Sequence, residues 1–219
     1  MDKLRLIFEK TGRAAYISHL DLMRTMQRAF LRAELPLRYS EGFNPHAQIS
    51  MVLPLSLGHE SVCEVMDFRV YADCKLSAMP KKLTAVLPEG IRVLKVYEPK
   101  QKGSNLKWLR VTGRFCYDKG VSPELCAALE QFFARDGIVI TRRTKRGEGE
   151  TDIRPAIREF SAVCQGDEIA LNAVVSAQEP TLNPEHLVSA LHQLAPELEP
   201  DFARFMRTAV YDADMQVFE

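Results

Sequence analysis

In the stretch "YSEGFNPHAQIS", residues 39–50, a phenylalanine and a histidine flank a set of turn-forming residues. Gly42, Asn44 and Pro45 suit a tight turn, but a turn needs neither Phe43 nor His46. A displayed phenylalanine ring can stack on a nucleobase. Asn44 and His46 can fix the loop or read a base edge, since an imidazole donates, accepts or becomes charged near neutral pH. Upstream, Tyr16 and His19 flank the junction between an extended stretch and a helical one. Tyr16, His19 and His46 together would suit general acid–base work on a ribose hydroxyl. The sequence leaves open whether His19 and His46 share a pocket. The plainer alternative makes His19 a helix-start residue and His46 a loop hydrogen-bonder.

Basic residues form two further groups. Arg24, Arg28 and Arg32 recur every four residues, which lays them in one stripe along a helix. Like charges at this spacing repel by roughly 0.2–0.5 kcal/mol per pair, and a phosphate backbone or an acidic partner surface would relieve that repulsion. The alternative is a solvated face balanced by Asp21 and Glu34. The second group is "TRRTKRGEGETDIRP", in which Arg142, Arg143, Lys145 and Arg146 lead into Gly147 and Gly149. A basic strand entering a glycine turn can present guanidiniums and amides to phosphates. A charged hairpin is the alternative. "TDIRPAI" reads as a short helical docking segment in which Asp152 pairs with Arg154.

Other chemistries lack their residues. There is no nucleotide P-loop, G-x-G-x-x-G, HExxH, GxSxG or EF-hand pattern. The five cysteines, Cys63, Cys74, Cys116, Cys126 and Cys164, form no CxxC pair, so no metal site or disulfide framework is expected. Neither a metal nor a cofactor is expected. Lys and Arg balance Asp and Glu at 29 each, so nucleic-acid affinity would need local clustering of charge. "MDKLRLIFEK" is not a signal peptide, and no apolar run approaches the ~20 residues of a membrane span. The expected location is the cytoplasm, away from any membrane.

These groups must be positioned by an α+β chain. "KLRLIFEK" alternates as a half-buried strand does, and "SHLDLMRTMQRAFLRAEL" follows with a capping box, Ser18 to Asp21. Leu35-Pro36 should close that helix. "LRYS" with "QISMVLPL", then "CEVMDFRVYA", read as strands, "KLSAMPKKLTAVLP" as a short helix weakened by Pro80, and "IRVLKVYE" as a fourth strand. This βαββαβ order is that of ferredoxin-like folds. Residues 99–107, "PKQKGSNLK", read as a linker. The same order then repeats: strand "WLRVTGRFCY", helix "SPELCAALEQFFARDG", strands "IVITRRTK" and "EIALNAVVSA", helix "NPEHLVSALHQLA" and strand "FMRTAVYDA". The expectation is two tandem ferredoxin-like units with antiparallel sheets, residues 1–98 and 108–219, the second carrying a charged insert at 145–163.

"YISHLDLMRTMQRAFLRAELPLRYSEGFNPHAQISMVLPLSLGHES" resembles the signature of the radical-SAM-linked proteins of unknown function, and "TKRGEGETDIRPAI" and "RTAVYD" resemble their later blocks. The resemblance spans nearly the whole chain, and its first motif is the specific one. It implies an accessory role, because members stand alone or form the tail of a larger radical-SAM protein with a cobalamin-binding-like region. It implies a radical-SAM enzyme as partner and supplies no active site. The chain lacks the CxxxCxxC triad that would hold a [4Fe–4S] cluster. A looser, fold-level similarity is to the tandem ferredoxin-like CRISPR repeat-processing endoribonucleases, but "FARFMRTAVYDADMQVFE" lacks their C-terminal glycine-rich loop.

The expected function is therefore a non-catalytic accessory module that binds RNA and docks to a radical-SAM enzyme. Its contacts would be Arg24, Arg28, Arg32, Phe43, Asn44, His46, Arg142, Arg143, Lys145 and Arg146. The alternatives are a metal-independent ribonuclease using Tyr16, His19 and His46, and a pure protein–protein adaptor.

Overall fold

A computed structural model describes residues 3–71, 75–144 and 147–219. The chain is mixed α+β with mostly antiparallel pairing, and it divides into two compact units, Met1–Asn105 with Phe218–Glu219 and Leu106–Val217.

In the first unit, β1 (Leu4–Lys10), β3 (Glu60–Phe68) and β4 (Ile91–Tyr97) run antiparallel, with β1 between the other two. The short β2 (Ile49–Met51) pairs with the far edge of β3. The strand pleat sends Leu4, Leu6, Phe8, Met66, Phe68 and Val70 to one face. There α1 (His19–Arg32) covers them with Leu22, Met26, Ala29 and Phe30, and the Phe30 and Phe68 rings lie 4.8 Å apart. Arg5, Asp67 and Arg69 take the alternate positions and so point to the opposite face.

The start of α1 differs in detail from the expected capping box. Ser18 Oγ accepts from the Asp21 amide as predicted, but it also donates to Asp21 Oδ2 at 2.7 Å, and this contact turns the carboxylate toward the hydroxyl. That hydrogen bond holds the Asp21 carboxyl below its ordinary range, with help from Arg24. The other end is not closed by the proline. Glu34 takes a left-handed φ of 57°, while the amides of Glu34 and Leu35 reach back to the carbonyls of Leu31 and Phe30. This is a Schellman motif with glutamate in the usual glycine position. Pro80 also behaves differently from expectation. It falls in the first turn of α2 (Met79–Thr84), where no intrahelical N–H is required, so it starts the helix instead of weakening it.

In the second unit, β5 (Trp108–Cys116) lies between β10 (Phe202–Tyr211) and β9 (Glu168–Ser176), and β8 (Ile157–Gln165) pairs with the far side of β9. All of these pairings are antiparallel. Helix α3 (Pro123–Phe133) starts as the sequence predicts, with Ser122 Oγ accepting from Leu125 and Pro123 in the first turn.

The strand assigned to "IVITRRTK" is corrected here. Val139–Thr144 forms β6, which among the described residues pairs only with β7 (Gly147–Asp152), in a separate two-stranded hairpin. The sheet strand is β8, inside the stretch read as insert. Alternation cannot distinguish the two, because β6 buries Ile140 as a sheet strand would, while β8 has a weak pattern with Ala162 as its main buried mid-strand residue. The hairpin is held against α4 (Glu185–Leu194) by one carboxamide: Gln193 Oε1 accepts from the Thr141 amide at 2.8 Å, and Nε2 donates to the Thr141 carbonyl at 3.0 Å.

His186 lies on the same helix, half-buried, with Nδ1 unpartnered among the described residues. Burial, reinforced by Arg142 and opposed by Glu185, lowers its pKa from the ordinary 6.5. The fold thus prefers neutral His186, while the unfolded chain takes up a proton below about pH 6.5, so acidification through that window costs stability. The melting temperature should fall between pH 7.5 and 5.5, and His186→Leu should flatten part of that fall. An unchanged profile would assign the acid sensitivity elsewhere.

Candidate functional site

Two short extended segments, 38–40 and 46–48, build the neck of the loop that carries Phe43. Tyr39 bridges to Ala47, the Ser40 amide donates to the His46 carbonyl at 2.9 Å, and the Gln48 amide donates to the Arg38 carbonyl at 2.7 Å. The Ser40 hydroxyl secures the same neck: its Oγ accepts from the His46 amide at 3.1 Å and lies 2.8 Å from His46 Nδ1. Gly42, at φ 119°, lets the chain reverse. Residues 41–46 are all exposed, and Phe43 stands at the tip with its ring fully in solvent.

Below the loop is a cleft of about 450 Å³ at the β2–β3 edge, with Lys3, His46, Gln48, Ser50, Asp67 and Arg69 among its lining residues. The volume lies within the usual range for ligand pockets. Asp67 is buried and held by two cations, Arg5 Nε at 2.7 Å and Lys3 Nζ at 2.6 Å. Arg5 is itself fully buried and stacks on the Phe218 ring at 4.7 Å. Arg69 is exposed and has no carboxylate partner among the described residues. Nearby, Arg38 lies 5.8 Å from the centre of the exposed Tyr71 ring, and its amide donates to the Arg69 carbonyl. Cations and rings therefore crowd one edge of the sheet, with the exposed Glu41 on the adjoining loop. Lys3, Arg38, Arg69 and Tyr71 were absent from the residues predicted from sequence.

The structure separates several residues that the sequence placed side by side. Leu4 pairs with Phe68, which pairs with Ile49, so His46 belongs to the Leu4 end of β1. Tyr16 belongs to the Lys10 end, where the Gly58 amide donates to the Ala15 carbonyl beside it. Seven residues of strand, about 20 Å at 3.3 Å each, stand between them. Tyr16 and His19 are exposed at one end of the sheet and His46 at the other.

The arginine stripe is also apart from the cleft. Arg24, Arg28 and Arg32 are exposed on the outer side of α1, whereas the cleft draws Asp67 and Arg69 from the sheet face that points away from α1. Arg24 Nη1 pairs with Asp21 at 3.2 Å, an exposed contact of small energetic weight. Leu20 and Leu31 stand beside the arginines on this outer side, 66% and 76% exposed.

In the second unit, Arg142 donates to Thr151 Oγ1 across the hairpin, and Arg143 stands opposite Glu148 in its register. Lys145 and Arg146 lie outside the described residues. Arg154 does not pair with the Asp152 carboxylate through its guanidinium, which donates to the carbonyls of Arg135 and Ile157; Asp152 Oδ1 accepts from the Arg154 amide. This segment clamps backbone within its own unit. Among the described residues, no three His, Cys, Asp or Glu side chains gather as a metal site would require, and no helix is long and apolar enough to cross a membrane.

Residues 3–184 match the model of a family described as "Uncharacterized protein conserved in bacteria (DUF2344)". No curated protein matches the chain. Among solved structures, similarity extends to an unknown protein from Galdieria sulphuraria at 11% identity and a TM-score of 0.27, covering 93% of this chain and 95% of that one. It extends also to DyPB from Rhodococcus jostii RHA1, at 11% identity and a TM-score of 0.21 over 94% of this chain and 92% of that one. The encapsulated DyP-type peroxidase from Mycobacterium smegmatis gives 8% identity and a TM-score of 0.21 over 93% and 89%. At these scores the likeness carries no statement about fold or function.

Proposed function

The chain belongs to this family of uncharacterised bacterial proteins, and we propose that it is a cytoplasmic, non-catalytic module that binds RNA and docks to a radical-SAM enzyme. The observation that carries the RNA part is the β2–β3 edge, where Lys3 and Arg69 line the cleft, Arg38 lies 5.8 Å from the exposed Tyr71 ring, and the loop that ends in His46 carries the exposed Phe43 ring. Single-stranded RNA is held by this combination: rings stack on bases, and cations follow the phosphates. Asp67 offsets a single positive charge, and the fully buried Arg5 supplies it.

The two sides of the first unit divide the work. The cleft edge takes RNA. The outer face of α1, where Leu20 and Leu31 are exposed beside Arg24, Arg28 and Arg32, suits a partner protein that offers both carboxylates and apolar contacts. We read both units as ferredoxin-like. The strand orders β4-β1-β3-β2 and β10-β5-β9-β8, each with two helices, support that reading. The ribonuclease alternative draws no support from the distance between Tyr16 and His46.

The test is paired. Fluorescence anisotropy with a labelled single-stranded oligoribonucleotide should give an affinity that weakens steadily as salt rises. Co-purification with a co-expressed radical-SAM enzyme of the same bacterium should be lost in the combined variant Leu20→Ser, Arg24→Gln, Arg28→Gln, Leu31→Ser, while RNA affinity stays. Loss of RNA affinity with retained co-purification would reverse the assignment of the two faces, and absence of both interactions would end it.

A further inference from the structure

The cleft carries a more specific chemistry than a basic edge. Its lining contains spare donors: the Lys3 ammonium has three N–H groups, of which Asp67 engages one, and Arg69 brings a guanidinium with no carboxylate partner among the described residues. The complementary ligand is an anion. The charge balance narrows the anion. Arg5 does not line the cleft but, fully buried behind it, offsets Asp67, so the two lining cations Lys3 and Arg69 are left for a ligand. A phosphate diester carries one negative charge, whereas a monoester carries about 1.5 to 2 at pH 7. The monoester is the better match.

The remaining neighbours suit a nucleoside. Phe43 is three residues from His46, which places their Cα atoms within about 10 Å of each other, near enough for one ligand to meet both cleft and ring. We propose that this cleft is a subsite for a nucleoside phosphate monoester: Lys3 and Arg69 hold the phosphate, and Phe43 stacks on the base. Two sources share this chemistry, a phosphorylated RNA end and a free nucleoside monophosphate. The inference rests on the RNA reading for the first source and stands without it for the second.

The experiment uses the full chain and anisotropy of a labelled ten-nucleotide oligouridylate whose free end is phosphate or hydroxyl, with the phosphate placed at the 5′ end in one set and the 3′ end in the other. Competition by uridine monophosphate, uridine and inorganic phosphate forms the second arm. At least one phosphorylated end should bind tenfold or more tightly than its hydroxyl counterpart, and the preference should rise between pH 5 and 7 as the phosphate loses its second proton, near pH 6. Arg69→Gln and Lys3→Gln alter exposed side chains, and each should shrink the preference to under threefold, while Lys119→Gln leaves it intact. Preference for the monophosphate over uridine with no RNA binding would keep the subsite and remove the RNA reading. RNA binding that is blind to the end group yet lost in Phe43→Ala would keep the RNA reading and overturn the subsite, as would a preference that survives Arg69→Gln.

Discussion

Asp67→Ala should destabilise the chain by about 3–5 kcal/mol, the cost of stripping one partner from a buried ion pair. Arg5 is fully buried, and its Nε and Nη2 both donate to Asp67, at 2.7 and 3.3 Å. One guanidinium nitrogen, Nη1, already lacks a hydrogen bond among the described residues, so the group has little reserve once the carboxylate is gone. The Phe218 ring below it can contribute cation–π attraction of about 2 kcal/mol when desolvated, which is too little to replace an ionic partner. The double variant Arg5→Met, Asp67→Ala should recover much of the loss, because it removes the stranded charge as well. Urea denaturation of the two variants measures both values. A loss below about 1 kcal/mol in Asp67→Ala would mean that Arg5 reaches water.

Phe43→Ala should weaken RNA binding by about 5- to 150-fold and leave stability unchanged. The range follows from base–aromatic stacking worth roughly 1–3 kcal/mol per base by alanine substitution, with each 1.4 kcal/mol a factor of ten. Stability should not respond because the ring touches solvent on all sides and the loop neck is held by Ser40, His46 and backbone bonds. Phe43→Trp is the complementary variant, since a larger ring in the same open position should retain or strengthen stacking. A matched loss of affinity and melting temperature in Phe43→Ala would instead assign the ring a structural role.

The first unit was legible where local signals and packing agree. In α1, the cap at Ser18 and the apolar positions Leu22, Met26 and Phe30 gave the helix and its buried face. Its end was misread because glutamate occupies the left-handed position that glycine usually marks, so no local residue signalled the stop. The hairpin of the second unit was misread for a different reason. Whether "IVITRRTK" joins a sheet or pairs with its own neighbour depends on contacts such as Gln193 with Thr141, which are 52 residues apart. The Phe43 loop was visible because its turn residues are contiguous. The cleft beneath it was not, since Lys3 and Arg69 are brought together only by the pairing of β1 with β3. One signal was available: in "DFRVY", Asp67, Arg69 and Tyr71 alternate with the buried Phe68 and Val70, marking a strand with one polar, aromatic face.

The most direct measurement is ultraviolet cross-linking of the full chain to single-stranded RNA, followed by mass spectrometry of the tryptic peptides. Cross-links concentrated in the peptide spanning residues 39–69, and lost from it in Phe43→Ala, are the predicted result. Cross-links confined to peptides of α1 or of the 139–152 hairpin, or none at all under conditions that label a known RNA-binding control, would contradict it.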